Sequence, residues 1–215
     1  FPHGRIREAA RDLLSRSERA ALHHRIGRRL LERASPETLS DGVFEIMEHL
    51  NQAPELIEDG ERPRMVELNL MAGKGALAAG SPATADHFLS YARAFFRDAD
   101  WQTHAQMGFD LYYQSADTAY AGGRSDVALE FLNQLESRAT NPIQIARVCG
   151  RRASMRVIVD GVEPGLIEGL DGLRKVGLDW SLRSSRFVLY RSILLAAWHV
   201  WRLGEVGLRR KPMPK

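Results

Sequence analysis

Only one cysteine, Cys149, occurs in 215 residues. A single thiol cannot build an intrachain disulfide framework, and this usage fits a reducing compartment, so a cytoplasmic setting is expected. Long apolar runs are missing as well. The longest, from Phe187 to Trp201, is too short to span a bilayer and is broken by Arg191 and His199. The opening Phe1-Pro2-His3 lacks the charged-then-apolar layout of a secretory leader. No segment sustains the period-two alternation or the clusters of β-branched residues that strands need, so essentially no sheet is expected.

The signatures of several chemistries are also lacking. Gly73-Lys74-Gly75 has Leu68 where a phosphate-binding loop needs its upstream glycine, and Gly75 where it needs Ser or Thr. His23-His24 with Glu45, Glu48 and His49 downstream has no H-E-x-x-H spacing. Adjacent helical histidines point about 100° apart, so packed or surface histidines are expected rather than a metal site. Cys149 lies between Val148 and Gly150 with no neighbouring base to activate it, and reads as a buried structural thiol. Asp98, Asp100 and Asp110 are scattered rather than paired as an acid–base couple.

Strong net charge is absent too: the formal value is +3, with a pI near 9.2. The charge is uneven, however. Residues 1–34 hold nine arginines against Glu8, Asp12, Glu18 and Glu32, and the chain closes on Arg209, Arg210, Lys211 and Lys215. Basic ends of this kind meet nucleic acid or an acidic partner domain in some proteins and are solvated helix faces in most.

What the chain does have is a pattern repeated three times. Gly80-Ser81-Pro82-Ala83-Thr84-Ala85 running to Leu89 is echoed by Gly123-Arg124-Ser125-Asp126-Val127-Ala128 running to Leu132. A fainter copy runs from Gly161 through Leu166 to Leu170. The marker glycines are 43 and 38 residues apart. A glycine closing one helix, then a second helix with a small residue where the two cross, is the unit of a helical-hairpin repeat. One hairpin cannot bury its apolar face alone, so hairpins stack into an array, and such arrays generally bind partners.

The spacing predicts hairpins pairing 63–79 with 82–97, 101–121 with 124–138, and 142–159 with 163–176. Residues 181–204 read as the opening helix of a further unit. Upstream, Ile6, Ala9, Ala10, Leu13 and Leu14 form one helical stripe. Ser17 stands as an N-cap for a second helix, and Ser35 caps a third with Pro36 at its first position. Residues 53–63 read as a loop. With Gly73, Ala116 and Ser154 at equivalent places before the marker glycines, the hairpins resemble tetratricopeptide-type repeats, although their spacing exceeds the usual length and the aromatic signature is incomplete. The expected fold is all-α: a right-handed α-α superhelix of tetratricopeptide-like hairpins over 63–180. It is preceded by a short helical element at 1–34 and a connecting region at 35–62, and followed by 181–215.

In such an array the first helix of each hairpin lines the concave face. Counting back from the marker glycines places Glu67, Lys74, Asp110, Tyr113, Asp117, Tyr120, Arg151 and Met155 there as candidate partner-binding residues. Tyrosines and charges at those positions suit a peptide or a neighbouring domain, or simply coat a solvated face. Trp101, Trp180, Trp198 and Trp201 read mostly as packing residues.

The opening residues Phe1-x-His3-x-x-Ile6-Arg7-x-Ala9-Ala10, followed by Ser17-x-Arg19-x-Ala21-Leu22-His23-x-Arg25-Ile26-Gly27-Arg28-Arg29-Leu30-Leu31, carry a second resemblance. They look like the end of the STAND-type (AAA-related) ATPase module in large bacterial signalling proteins. Those proteins join a serine/threonine kinase, the ATPase, helical repeats and a sensor histidine kinase. Phe44-Glu45-Ile46-x-x-His49-Leu50-Asn51, Glu67-Leu68-Asn69-Leu70-x-Ala72-Gly73 and Tyr120-x-x-Gly123 look like the next landmarks. Gly4 departs from the Asp expected after the His.

The resemblance implies that 1–34 close the ATPase module at a winged-helix-like end and that the rest is a regulatory, non-catalytic arm. ATP and Mg²⁺ would belong to an upstream P-loop, with no cofactor in this chain. The expected partners are a protein or neighbouring domains of the same polypeptide, with no membrane. The alternative is the helical-repeat part of a STAND-type transcription regulator with a DNA-associated role, for which +3 is a weak footprint. The chain starts mid-pattern and without Met, so we read it as a piece of a longer protein. Self-association through an exposed end near Trp198 and Trp201 follows as an expectation.

Overall fold

A computed structural model describes residues 14–178; the stripe before Leu14, the helix expected at 181–204, and Trp180, Trp198 and Trp201 lie outside them. Among the described residues there are nine α-helices and no strand: α1 Arg16–Arg33, α2 Pro36–Leu50, α3 Arg62–Ala78, α4 Pro82–Phe95, α5 Asp100–Thr103, α6 Ala105–Ala121, α7 Ser125–Arg138, α8 Pro142–Val159 and α9 Val162–Lys175. Consecutive helices pack as hairpins, α1 on α2, α3 on α4, α6 on α7 and α8 on α9. Each hairpin also meets the next, through α2–α3, α4–α6 and α7–α8.

Local chemistry explains the helix starts. α1 is capped by Ser15 rather than Ser17: the Ser15 hydroxyl accepts from the Glu18 N–H, and the Glu18 carboxylate accepts from the Ser15 N–H at 2.8 Å. Ser17 has Ala20 three residues on, which cannot reciprocate. Ser35 caps α2 as expected, with Thr38 closing the box and Pro36 at the first position. Residues 53–63 are not wholly irregular, since Pro54–Leu56 and Asp59–Glu61 are single 3₁₀ turns. The helix expected over 101–121 breaks at His104 (φ −129°, ψ 38°) into α5 and α6. The Asp100 carboxylate accepts from the Arg97 N–H at 2.6 Å, which pins the short turn, and Trp101 then packs edge-on against Phe96.

Two apolar cores run through the array. The first joins Val43, Met47 and Leu50 of α2 to Met65, Leu68 and Ala72 of α3, Phe88 and Leu89 of α4, and Leu111 of α6. The second joins Phe109, Ala116 and Ala119 of α6 to Ala128, Leu132 and Leu135 of α7 and to Val148 and Met155 of α8. Inside the first core, Asn51 and Asn69 exchange hydrogen bonds of 2.8 and 3.1 Å, and Asn69 also donates to the Met65 carbonyl. Buried amides need such satisfaction. Arg62, at the start of α3, donates to the Ala94 and Phe95 carbonyls that α4 leaves open at its C-terminus.

The first two marker glycines end their helices identically. Gly80 (φ 74°) donates to Leu77 O and Ser81 to Ala76 O; Gly123 (φ 77°) donates to Tyr120 O and Arg124 to Ala119 O. These are Schellman turns, which need a left-handed residue that glycine adopts without a Cβ penalty. Gly161 (φ 105°) turns the third hairpin.

The helix crossings differ. A Cβ on Gly73 would lie 2.7 Å from Leu89 Cγ, so this glycine lets α4 close on α3. Ala116 is fully buried in the equivalent place. Ser154 is not at a crossing. It is exposed, and its hydroxyl donates to the Gly150 carbonyl at 2.9 Å. In the third hairpin the small residues have moved to the second helix, where Gly165 meets Val157 and Gly172 meets Cys149.

Candidate functional site

Five of the eight candidate residues are brought together by the packing of α8 on the α6–α7 hairpin. On α6, Asp110, Tyr113, Asp117 and Tyr120 recur at steps of three and four and therefore share one face. On α8, Arg151 Nε donates to Asp117 at 2.6 Å, and its guanidinium lies 5.5 Å from the Tyr120 ring centroid. One helical turn earlier, Arg147 pairs with Asp110 at 3.7 Å and lies 4.5 Å over the Tyr113 ring and 5.1 Å from Phe109. The result is a ladder of two arginines, two aspartates and two tyrosines. The ladder side chains are all partly open to solvent, from 23% at Asp117 to 44% at Arg147 among the charged ones.

Arg147 escaped the sequence reading. Its signal was its place four residues before Arg151, which puts both on one α8 face. Glu67 and Lys74 occupy the equivalent places on α3, which packs beside α6, and both are exposed. Glu67 pairs with Arg64 of its own helix at 2.8 Å. Among the described contacts none ties Glu67 or Lys74 to α6.

Met155 does not belong to this face. It is 1% exposed and packs in the second core with Val148. The cause is the reversed crossing in the third hairpin. Because α9 supplies the glycines, α8 meets it through Cys149, Ala153 and Val157, which advance by four. That turns α8 about one residue, or 100°, relative to α3 and α6. Val148 and Met155 then point inward at the repeat positions where Asp110 and Asp117 point outward.

Next to Arg151 along α8, Arg152 forms a polar hub, also absent from the sequence reading. Arg152 is 7% exposed and donates to Glu168 at 2.5 Å, Glu136 at 2.6 Å and Asn133 at 2.9 Å, tying α8 to both α7 and α9. Lys175 also pairs with Glu136. The Arg152 hydrogen bond holds the Glu136 carboxyl below the usual carboxylate range, against the upward pull of its own burial, and Lys175 adds to the lowering. Burial pushes the Cys149 thiol up, and the Glu136 charge beside it adds to that, which disfavours the nucleophilic thiolate.

Elsewhere His23 and His49 approach with their Nδ1 atoms 2.9 Å apart, joining α1 to α2. Among the described residues no group of three or more His, Cys, Asp or Glu is placed to hold a metal ion. A cleft of about 370 Å³ between α8 and α9 is lined by Arg156, Glu163, Pro164, Ile167, Glu168 and Asp171, and shares no residue with the ladder. Among the described residues no helix is long and apolar enough to cross a membrane.

Comparison of the chain with protein-family models, with curated proteins and with solved structures returned no match.

Proposed function

We propose that this chain is a non-catalytic, protein-binding helical-repeat arm that docks a neighbouring domain or partner along the ladder face of α6 and α8. The observation that supports this most is the ladder itself. Tyr113 and Tyr120 lie under Arg147 and Arg151 while remaining accessible, and the arginines are held in place by Asp110 and Asp117. Tyr and Arg are the residue types that carry most binding energy at interfaces, and side chains already fixed lose less entropy on docking. Glu67 and Lys74 extend the face along α3.

On this reading the hairpins form a tetratricopeptide-like superhelix, and the arm belongs to a STAND-type ATPase and kinase of bacterial signalling. ATP and Mg²⁺ act in that protein's upstream module. Closure of the arm on its partner biases the ATPase between resting and active arrangements through differential contacts. The test is a titration of the chain against each domain encoded beside it in the same reading frame. Binding is expected to weaken at least tenfold in Tyr113→Ala combined with Arg151→Glu, with unchanged circular dichroism. Absence of binding to every such domain contradicts the proposal.

A DNA-associated reading draws on α1, where Arg25, Arg29 and Arg33 are exposed at four-residue spacing. It requires duplex binding that falls steeply with salt and is weakened by Arg25→Glu and Arg29→Glu.

A further inference from the structure

The arginines of α8 are used in two ways. Arg152 is buried and spends its donors inside the protein, on Asn133, Glu136 and Glu168. Among the described hydrogen bonds, Arg151 donates only from Nε, to Asp117. Arg147 meets Asp110 at 3.7 Å, too long for a hydrogen bond. A guanidinium carries five N–H donors, so most of the ladder's donors are unspent, on side chains that are 44% exposed at Arg147 and 32% at Arg151. The Tyr113 and Tyr120 rings beneath them, at 4.5 and 5.5 Å, hold the planar forks in place. Fixed forks of this kind match an anion with two oxygens side by side, a carboxylate or a phosphate.

Charge separates those two. Asp110 and Asp117 cancel Arg147 and Arg151, so the ladder is formally neutral. A nucleic-acid backbone gains little from a neutral face and would set its phosphates against the two aspartates. A protein segment with spaced carboxylates can seat each one on a guanidinium and keep clear of the aspartates. The surplus charge on this face is also positive. Lys74 of α3 is exposed and, among the described residues, makes no hydrogen bond or ion pair, whereas Glu67 is already engaged by Arg64. From α3 to α8 is two helix spacings, about 20 Å, which an extended segment of about six residues covers.

We infer that the occupant of the ladder face is an extended acidic protein segment, with one Asp or Glu carboxylate on Arg147 and another on Lys74. This rests on the docking reading above and adds the chemistry of what docks.

Fluorescence anisotropy with the full 215-residue chain tests it. The probes are short labelled peptides that differ only at two positions about six residues apart, which are both Glu, both Gln, both Lys or both phosphoserine. The Glu peptide is expected to bind at least tenfold more tightly than the Gln or Lys peptide. Its affinity should fall at least threefold in Arg147→Gln and in Lys74→Gln, and by less in Arg147→Lys, which keeps the charge but not the fork. Arg25→Gln removes the same charge from an exposed, unpaired position on α1 and should change nothing. Equal binding of the Glu and Gln peptides, or binding of neither, overturns the acidic assignment. It leaves docking itself to the titration against neighbouring domains. Glu-peptide binding untouched by Arg147→Gln and Lys74→Gln overturns the placement, and tighter binding of the phosphoserine peptide overturns the choice of carboxylate.

Discussion

In α3–α4 the glycine at the crossing, Gly73, is on the first helix, and Leu89 of the second closes against it. In α8–α9 the glycines, Gly165 and Gly172, are on the second helix, and Val157 and Cys149 of the first close against them. The two hairpins carry the same marker glycine at the turn, yet are held together differently. The first belongs to a continuous apolar core. In the second, α9 adds no buried apolar side chain, and the buried Arg152 clamps Glu136 and Glu168 across three helices. A turn motif therefore specifies where the chain reverses, whereas the position of the small residues specifies which faces meet.

The largest effects should separate the two hairpins. Phe88→Ala removes a ring that is 1% exposed in the first core and is expected to cost about 4 kcal/mol of global stability, read by denaturant unfolding. Arg152→Met leaves two glutamates without their main partner. It is expected to cost about 3 kcal/mol, with hydrogen exchange accelerated in α8 and α9 and little change in α3 and α4. A uniform rise in exchange along the chain would mean that the hub supports the whole array.

The hub also predicts a pH dependence. The Glu136 carboxyl titrates lower in the folded chain than in the unfolded one. Its ion pairs therefore stabilise fully above the ordinary glutamate value of about 4.3, and that contribution is lost as pH falls through the depressed folded value. Between neutral pH and acid, α8–α9 exchange should accelerate before α3–α4 exchange does. In Glu136→Gln the carboxyl's own share of that acid-dependent loss should vanish, at the cost of lower stability at pH 7.

Smaller effects test the shared part of the comparison. Gly123→Ala places a Cβ at φ 77° with no steric neighbour, so the expected cost of about 1 kcal/mol comes from the backbone alone. Thr118→Val acts in the other direction. Its buried hydroxyl finds no hydrogen-bond partner in the described structure, and replacement by an isosteric methyl should leave stability unchanged or raise it by up to about 1 kcal/mol in thermal unfolding.

The helical content and the hairpin boundaries were legible because local rules decide them. Pro36, Pro82 and Pro142 stand at helix starts, and Gly80, Gly123 and Gly161 stand where left-handed turns are needed. The α6 part of the candidate face was legible for the same reason, since three- and four-residue spacing on one helix defines a face. What the sequence concealed depends on how helices rotate against each other. Ser154 occupies the place of Gly73 by counting, yet the rotation of α8 takes it to the surface and carries Met155 into the core. Arg152 becomes a hub only because α7 and α9 bring Glu136 and Glu168 to it. No periodicity within α8 announces partners 16 residues away on either side.

The most direct test of the two-hairpin contrast is native-state hydrogen exchange of the full chain at pH 7 across low denaturant concentrations. The account predicts that α8 and α9 open together at a lower free energy than α3 and α4, with the α6–α7 hairpin closer to the latter. A single opening free energy shared by every helix would contradict it, because the polar clamp and the apolar core would then be parts of one cooperative unit.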